Sequence, residues 1–277
     1  MIVKNEAPCL RTCLDSVCGI AGEIVIVDTG STDETPLIAS EYGAVVVPFD
    51  FSFVDFSAAR NASLKAAQGS WILVLDADET LSPCDLRQIE ELVSRNENAG
   101  YYFARQNQHT TGPPTVDHVV RLFPNRPDYR YRGRVHETID AAILEAGGHL
   151  FTSKIELYHH FAEHGNTRRE KNLRYLGILL EEIAVNPQDS SRLDFLAAEY
   201  HQLEMFGEAT AAAERIAQLR PSDATAHLNA GIYHLVYQSD PPRAQGDFLR
   251  ALELRPGYPE ALAFLDRAGG ISCCYPE

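Results

Sequence analysis

Short apolar runs, each followed by a segment of helical length and pattern, recur through the first 96 residues and constrain the fold more than any other feature. Ile2–Val3 opens the first run, with Met1 inside it, and EIVIVD (23–28), AVVVPF (44–49) and WILVLD (71–76) follow. Helices are predicted at about residues 6–18, 31–43, 57–69 and 82–96. Their ends carry recognisable signals. Pro8 lies in a first turn, Ser31 and Glu34 fit a capping box with Gly43 closing the far end, Gly69 ends the third helix, and Ser82–Pro83 supply a cap and a first helical position. Pro36 falls close enough to a helix start to be tolerated. Strands that are apolar on both faces and alternate with helices make a parallel sheet covered on both sides. Such sheets bind ligands beyond the C-terminal ends of their strands.

That edge is where the charge collects. WILVLDADE (71–79) runs from core strand into Asp76, Asp78 and Glu79, while Asp28-Thr29-Gly30-Ser31 follows the second strand and Lys4-Asn5-Glu6 the first. Alternate residues in a strand-end turn can face one site, so Asp76 and Asp78 are read as converging. Two like charges a few ångströms apart need a positive partner. A hard divalent cation, Mn²⁺ or Mg²⁺, suits oxygen ligands and keeps room for phosphate and water. Taken alone, D-x-D is a weak signal, since a solvated turn explains most occurrences; its place beyond a core strand, in a sheet with a second Asp-bearing strand end, favours a site.

The formal net charge of −15 argues against nucleic acid or an anionic membrane as the main partner. No apolar run reaches the roughly 18 residues of a membrane helix. MIVKNEAPCL lacks the basic-then-apolar pattern of a secretory signal, and a cytoplasmic location is expected. Cys9, Cys13, Cys18, Cys84, Cys273 and Cys274 form neither a CxxC pair nor a zinc spacing, so buried or reduced thiols are expected. The adjacent Cys273–Cys274 pair sits in a tail, ISCCYPE, with no repeat character.

Past Gly100 the pattern changes. YYFARQ (101–106), VDHVVRLFP (116–124) and IELYHH (155–160) read as further strands around an irregular, Arg-rich NRPDYRYRGRVHE (125–137). From Thr167 onward the chain reads as helix only. NPQD (186–189), RPSD (220–223) and RPGY (255–258) place prolines at 187, 221 and 256, with the small-residue segments LAAEY (196–200) and NAGIY (229–233) between them. A period near 34 residues with small residues between paired helices is the tetratricopeptide pattern. The organisation expected is an α/β domain over 1–165, tetratricopeptide-like helices over 166–270 and a tail over 271–277.

IVKNE (2–6), EIVIVDTGSTDET (23–35), ARNASLKAAQGSWILVLDADE (59–79) and RLFPN…YRGRVHE (121–137), in that order, resemble a GT-A glycosyltransferase of family 2. The closest branch is the one in which a bacterial family 2 domain precedes tetratricopeptide repeats. The resemblance implies a Rossmann-like, mostly parallel central sheet and a nucleotide-sugar donor, with UDP the expected nucleotide. It implies that Glu6, Asp28 and Thr29 lie near base and ribose, that Arg60 contacts the donor, that Asp76 lies near the ribose, and that Asp78 ligates the metal. A late-strand histidine completes that metal set, with His159 first choice and His160 second. Relatives carry more apolar residues ahead of the segment matching MIVKNE, so a short first strand or an internal start is expected.

The implied reaction is a single inverting displacement. Its acceptor must lose a proton to a general base, worth about 10²–10⁴ in rate. Glu137 is the choice, His136 its rival, with Glu79 and Asp117 weaker; an ordinary ion pair with Arg132 or Arg134 explains Glu137 and His136 equally well. Arg121 and Arg134 are read as phosphate or acceptor contacts. The repeats present a concave surface for a peptide, protein or glycan acceptor. A non-catalytic scaffold with a degenerate first domain is the alternative, which intact Arg60, Asp76 and Asp78 oppose. A nucleotidyltransferase is a third reading, opposed by the lack of a Gly-rich phosphate loop near the N-terminus.

Overall fold

The computed structural model describes residues 1–95, 98–108, 114–160 and 168–269. The chain divides into two compact units, Met1–His164 and Gly165–Glu277. Cys273 and Cys274 lie outside the described residues.

The first unit is α/β. Its elements begin Ile2–Val3 (β1), Ala7–Val17 (α1), Val25–Asp28 (β2), Thr35–Glu41 (α2), Val45–Pro48 (β3), Phe56–Ala66 (α3) and Trp71–Leu73 (β4). They continue with Glu79–Leu81 (β5), Pro83–Ser94 (α4), Ala99–Gln108 (β6), Thr115–Pro124 (β7), Asp140–Glu145 (α5) and His149–His160 (β8). β1, β2 and β3 form a parallel sheet in that order. The fourth apolar run does not extend it. β4 pairs antiparallel with β7 at the edge of a second, mixed sheet of order β4-β7-β6-β8-β5, in which only β6 and β8 run parallel. Apolar continuity marks a strand as buried on both faces but does not select its neighbour. The expected mostly parallel sheet is therefore a three-stranded parallel sheet beside a mixed one.

Both faces of the five-stranded sheet are covered. Tyr101, Phe103, Leu122, Ile155 and Leu157 pack with Cys13 and Val17 of α1 and Ile89 of α4. Ile72, Val120 and Phe123 pack on the other side with Leu64 of α3, Ile143 of α5 and the loop tyrosines Tyr129 and Tyr131. Leu10 and Leu14 of α1 meet Val3, Ile26 and Ile38 over the parallel sheet.

Helix ends follow local chemistry. Asp55 caps α3 by accepting from Ala58 N at 2.8 Å, and Ser82 with Asp85 forms a capping box on α4. The predicted box at Ser31 and Glu34 does not form. The hydroxyl of Ser31 is taken by Asp28, α2 starts at Thr35, and Pro36 falls in its first two positions, where its missing N–H costs nothing.

The second unit is helical: Arg168–Val185 (α6), Ser190–Gln202 (α7), Phe206–Leu219 (α8), Ala224–Val236 (α9), Pro241–Leu254 (α10) and Pro259–Arg267 (α11). The repeat shows in the helix starts, because the last residue of NPQD and of RPSD is a cap. Asp189 accepts from Ser191 N and Arg192 N, and Asp223 from Thr225 N. Gly231 of α9 lies against the fully buried Phe248 of α10, where a Cβ would sit 2.5 Å from Phe248 Cε1 and 3.1 Å from Asp247 Cβ.

Gly231→Ala is expected to destabilise the helical unit by about 1–3 kcal/mol through overpacking. Urea unfolding followed by far-UV circular dichroism measures this; an unchanged midpoint would contradict the close approach of α9 to Phe248.

Candidate active site

The three carboxylates of DADE (76–79) divide between two sets of partners. Asp76 is gripped by two guanidinium groups: Oδ1 accepts from Arg60 Nη2 and Oδ2 from Arg121 Nη2, both at 2.8 Å. Glu79 turns inward as the first residue of β5. It is fully buried, accepts from Asp76 N at 2.9 Å, pairs with Arg121, and has Arg105 Nη1 at 3.7 Å. Asp78, the middle of the three, is half-buried with Oδ2 3.2 Å from His159 Nε2. Ala77 between Asp76 and Asp78 is buried. The expected convergence of Asp76 and Asp78 on one partner is thus replaced by a division. Asp76 belongs to the arginines and Asp78 to the histidine.

Arg121, read from sequence as a phosphate or acceptor contact, is 4% exposed and committed to Asp76 and Glu79. Glu79 has no access to an acceptor as a base. Asp117 is also committed, holding Arg105 through both oxygens. Burial opposes ionisation of Asp76, but Arg60 and Arg121 outweigh it and hold the carboxyl well below the usual carboxylate range. For Glu79 burial dominates, raising its pKa above the ordinary value against the pull of Arg121. One arginine thus serves an acid kept ionised and an acid that resists ionisation.

Arg60 comes from α3 and connects this cluster to the Arg-rich loop. Its Nε donates to Glu137 Oε1 at 2.6 Å, and its guanidinium carbon lies 5.5 Å from the centroid of the Tyr131 ring. Burial pushes the Tyr131 phenol up to about 12. Arg60 Nη1 is buried with no hydrogen-bond partner among the described residues. Glu137 therefore joins Arg60 and Asp76, and does not pair with Arg132, which is bound to Glu145. His136 sits beside it with φ of +49°, a left-handed conformation rare outside glycine. Arg134 donates to Val54 O at 3.1 Å and stacks on Phe53, 3.9 Å from its centroid.

The β1 and β2 ends are laced to each other. Asn5, with φ of +58°, accepts from Thr32 N at 2.8 Å, and Asn5 N donates to Ser31 Oγ at 2.9 Å. Asp28 accepts from Ser31 N at 3.1 Å, and Glu6 N donates to Thr35 Oγ1 at 2.8 Å. Thr29 is buried, its hydroxyl donating to Val3 O at 3.0 Å, so it ties β2 to β1 and does not present a free side chain. Cys9 Sγ lies 3.2 Å from Glu6 Oε2, and its thiol is pushed up to about 12 by burial, with the Glu6 hydrogen bond and the charges of Glu6 and Asp78 adding to it.

His159 and His160 part company. His160 is exposed, its Nε2 3.2 Å from Thr80 Oγ1 and its backbone N bonded to Asp78 O, while His159 turns toward Asp78. His159 Nδ1 lies 2.8 Å from Asn107 Oδ1. Asn107 and Arg105 were not among the residues read as functional. Their signal was polar side chains inside a strand, R-Q-N at 105–107, on a segment otherwise legible as core. A cavity of about 810 Å³ has Arg60 in its wall but is lined mainly by apolar residues such as Leu14, Val17, Leu64 and Leu73. Neither Asp78 nor His159 lines it. The side-chain chemistry, not that volume, places the candidate site.

Residues 1–153 match the model of Glycosyl transferase family 2. Over 144 residues the chain is 41% identical to the TPR repeat-containing protein Synpcc7942_0270 of Synechococcus elongatus, covering 52% of this chain and 35% of that protein. It is 26% identical over 213 residues to the SPbeta prophage-derived glycosyltransferase SunS of Bacillus subtilis, covering 76% of this chain and 50% of that one. The chain thus spans half or less of the length of these relatives. Among solved structures, the first TPR of Spaghetti (RPAP3) bound to HSP90 peptide SRMEEVD covers 37% of this chain with 22% identity and a TM-score of 0.33.

Arg121→Met leaves Glu79 buried without its main cation and is expected to cost about 3–5 kcal/mol at pH 7. The deficit has a predictable pH dependence. Losing Arg121 raises the folded-state pKa of Glu79 further and relaxes the depression of Asp76, so the folded variant binds protons more tightly than wild type. The deficit is therefore smallest below about pH 4, where both carboxyls are protonated in the unfolded chain, and grows toward pH 7. Denaturant midpoints of both proteins between pH 4 and 7 check this; a deficit that shrinks as the pH rises contradicts it.

Proposed function

The chain belongs to glycosyl transferase family 2, and we propose that its first unit transfers a sugar, with inversion, from a nucleotide-sugar donor to a peptide, protein or glycan acceptor. The observation that carries the reading is the division of labour at the strand end. Two acids fix a pair of arginines, and the third, Asp78, is left to His159.

The residues present fit a divalent cation and a diphosphate. Asp78 and His159 offer one carboxylate and one imidazole, and among the described residues no group of three or more His, Cys, Asp or Glu closes a cage around them. Such an open set suits Mn²⁺ or Mg²⁺ sharing its shell with phosphate oxygens and water. When bound, the cation supplies Lewis-acid compensation for the charge that develops on the departing nucleoside diphosphate. Arg60 Nη1 is a buried donor awaiting an acceptor, and a ligand oxygen reaching it would remove that penalty. Glu6 and Asp28 stand at the ends of the parallel strands, where the base and ribose of a donor are recognised through hydrogen bonds.

In this reading Glu137 is the base. Arg60 holds one of its oxygens, orienting the other to take the acceptor proton as the acceptor oxygen attacks the anomeric carbon from the face opposite the leaving group. His136 is the neighbouring alternative. The repeats supply the acceptor surface: a groove of about 340 Å³ lined by His201, Asn229, Tyr233 and Tyr237 offers ring faces and hydrogen-bonding groups. No helix among the described residues is long and apolar enough to cross a membrane.

Calorimetry with UDP in the presence of Mn²⁺ is expected to show binding that Asp78→Ala abolishes. Glu137→Gln is expected to slow transfer by about 10²–10⁴ with donor binding retained. Absence of binding to any nucleoside diphosphate, with either cation present, would overturn the proposal.

A further inference from the structure

A line of hydrogen bonds crosses the mixed sheet at right angles to its strands and ends at Asp78. Arg105 of β6 binds Asp117 of β7, with Nε on Oδ1 at 2.9 Å. Asn107, also on β6, donates from Nδ2 to the same Asp117 Oδ1 at 3.2 Å. Asn107 lies directly opposite His159 of β8 in the parallel ladder, and its Oδ1 is 2.8 Å from His159 Nδ1. His159 Nε2 then points at Asp78 Oδ2.

The orientation of the Asn107 amide follows from its other partner. Asp117 is a carboxylate committed to a guanidinium and only accepts, so the NH₂ of Asn107 must face it. The carbonyl oxygen is thereby turned to His159, which must donate from Nδ1. A neutral His159 then carries its lone pair on Nε2, opposite a carboxylate oxygen. Two electron-rich atoms 3.2 Å apart call for a positive charge between them.

We infer that Asn107, fixed by Asp117 and Arg105, is a positioning residue that holds His159 as the Nδ1–H tautomer and so aims Nε2 at a cation shared with Asp78. This rests on the metal-dependent reading of the site and deepens it. Ligand histidines commonly have their second nitrogen held this way, and losing the holder costs about 10–100-fold in metal affinity. Here the holder is an amide on the neighbouring strand whose own orientation is set on β7, two strands from His159.

The test uses the whole chain and Mn²⁺ as the probe, read by electron paramagnetic resonance in the presence of UDP. Asn107→Leu is expected to weaken Mn²⁺ binding about 10–100-fold. The ¹⁵N shifts of His159, assigned by comparison with His159→Gln, are expected to show the proton on Nδ1 in the wild type. Asp78→Ala serves as the reference for the metal site itself. Mn²⁺ binding lost in Asp78→Ala but unchanged in Asn107→Leu would overturn the relay while leaving the metal site standing. An Nε2–H tautomer, or an imidazolium at neutral pH bonded to Asp78, would overturn the relay too. Mn²⁺ binding unaffected by Asp78→Ala would overturn the site on which it rests.

Discussion

A buried guanidinium governs this strand end. Arg121 lies inside the first unit, and two carboxylates three residues apart must come to it because an uncompensated charge there would cost several kcal/mol. The turn between them, Asp76 to Glu79, is thereby anchored at both ends on Arg121, while Asp78 pairs with His159. Arg60 extends the same constraint to the loop that carries His136 and Glu137, so the strand end and that loop share one electrostatic anchor.

Much of the first unit was legible in the sequence because its signals are local. Apolar runs, Pro and Ser at helix starts, and D-x-D after a strand depend on near neighbours in the chain, and they located helices α1, α3 and α4, strands β2 and β3, and the rim of the sheet. Pairing was not legible. Nothing in WILVLD distinguishes a fourth parallel strand from an edge strand beside β7, since both are buried on two faces. β5 and α5 were missed because three- and six-residue elements carry too few turns of any period to register.

The candidate site divides the same way. Arg60, Asp76, Asp78 and His159 were named from the motifs they belong to, and the folded chain brings Arg60 to Asp76 and Asp78 to His159. Their partners were misjudged. A sequence shows how many charges a segment holds but not which will be neutralised by a residue 45 positions away, as Asp76 is by Arg121. Thr29 was read as a ligand contact, yet its hydroxyl serves a neighbouring backbone carbonyl. Asn107 was invisible because its importance lies wholly in what stands beside it across the sheet. The helical unit shows the opposite case. Its 34-residue period is local at every step, and Asp189 and Asp223 cap their helices where the repeat places them.

The buried web joining Arg60 and Arg121 to Asp76, Glu79 and Glu137 also bears on how this chain can change over generations. Removing one member of a buried pair costs about 3–5 kcal/mol, against a total stability of roughly 5–15 kcal/mol for a domain. Single substitutions therefore lead through poorly folded intermediates, whereas matched double or triple changes do not. The web should drift as a block or not at all.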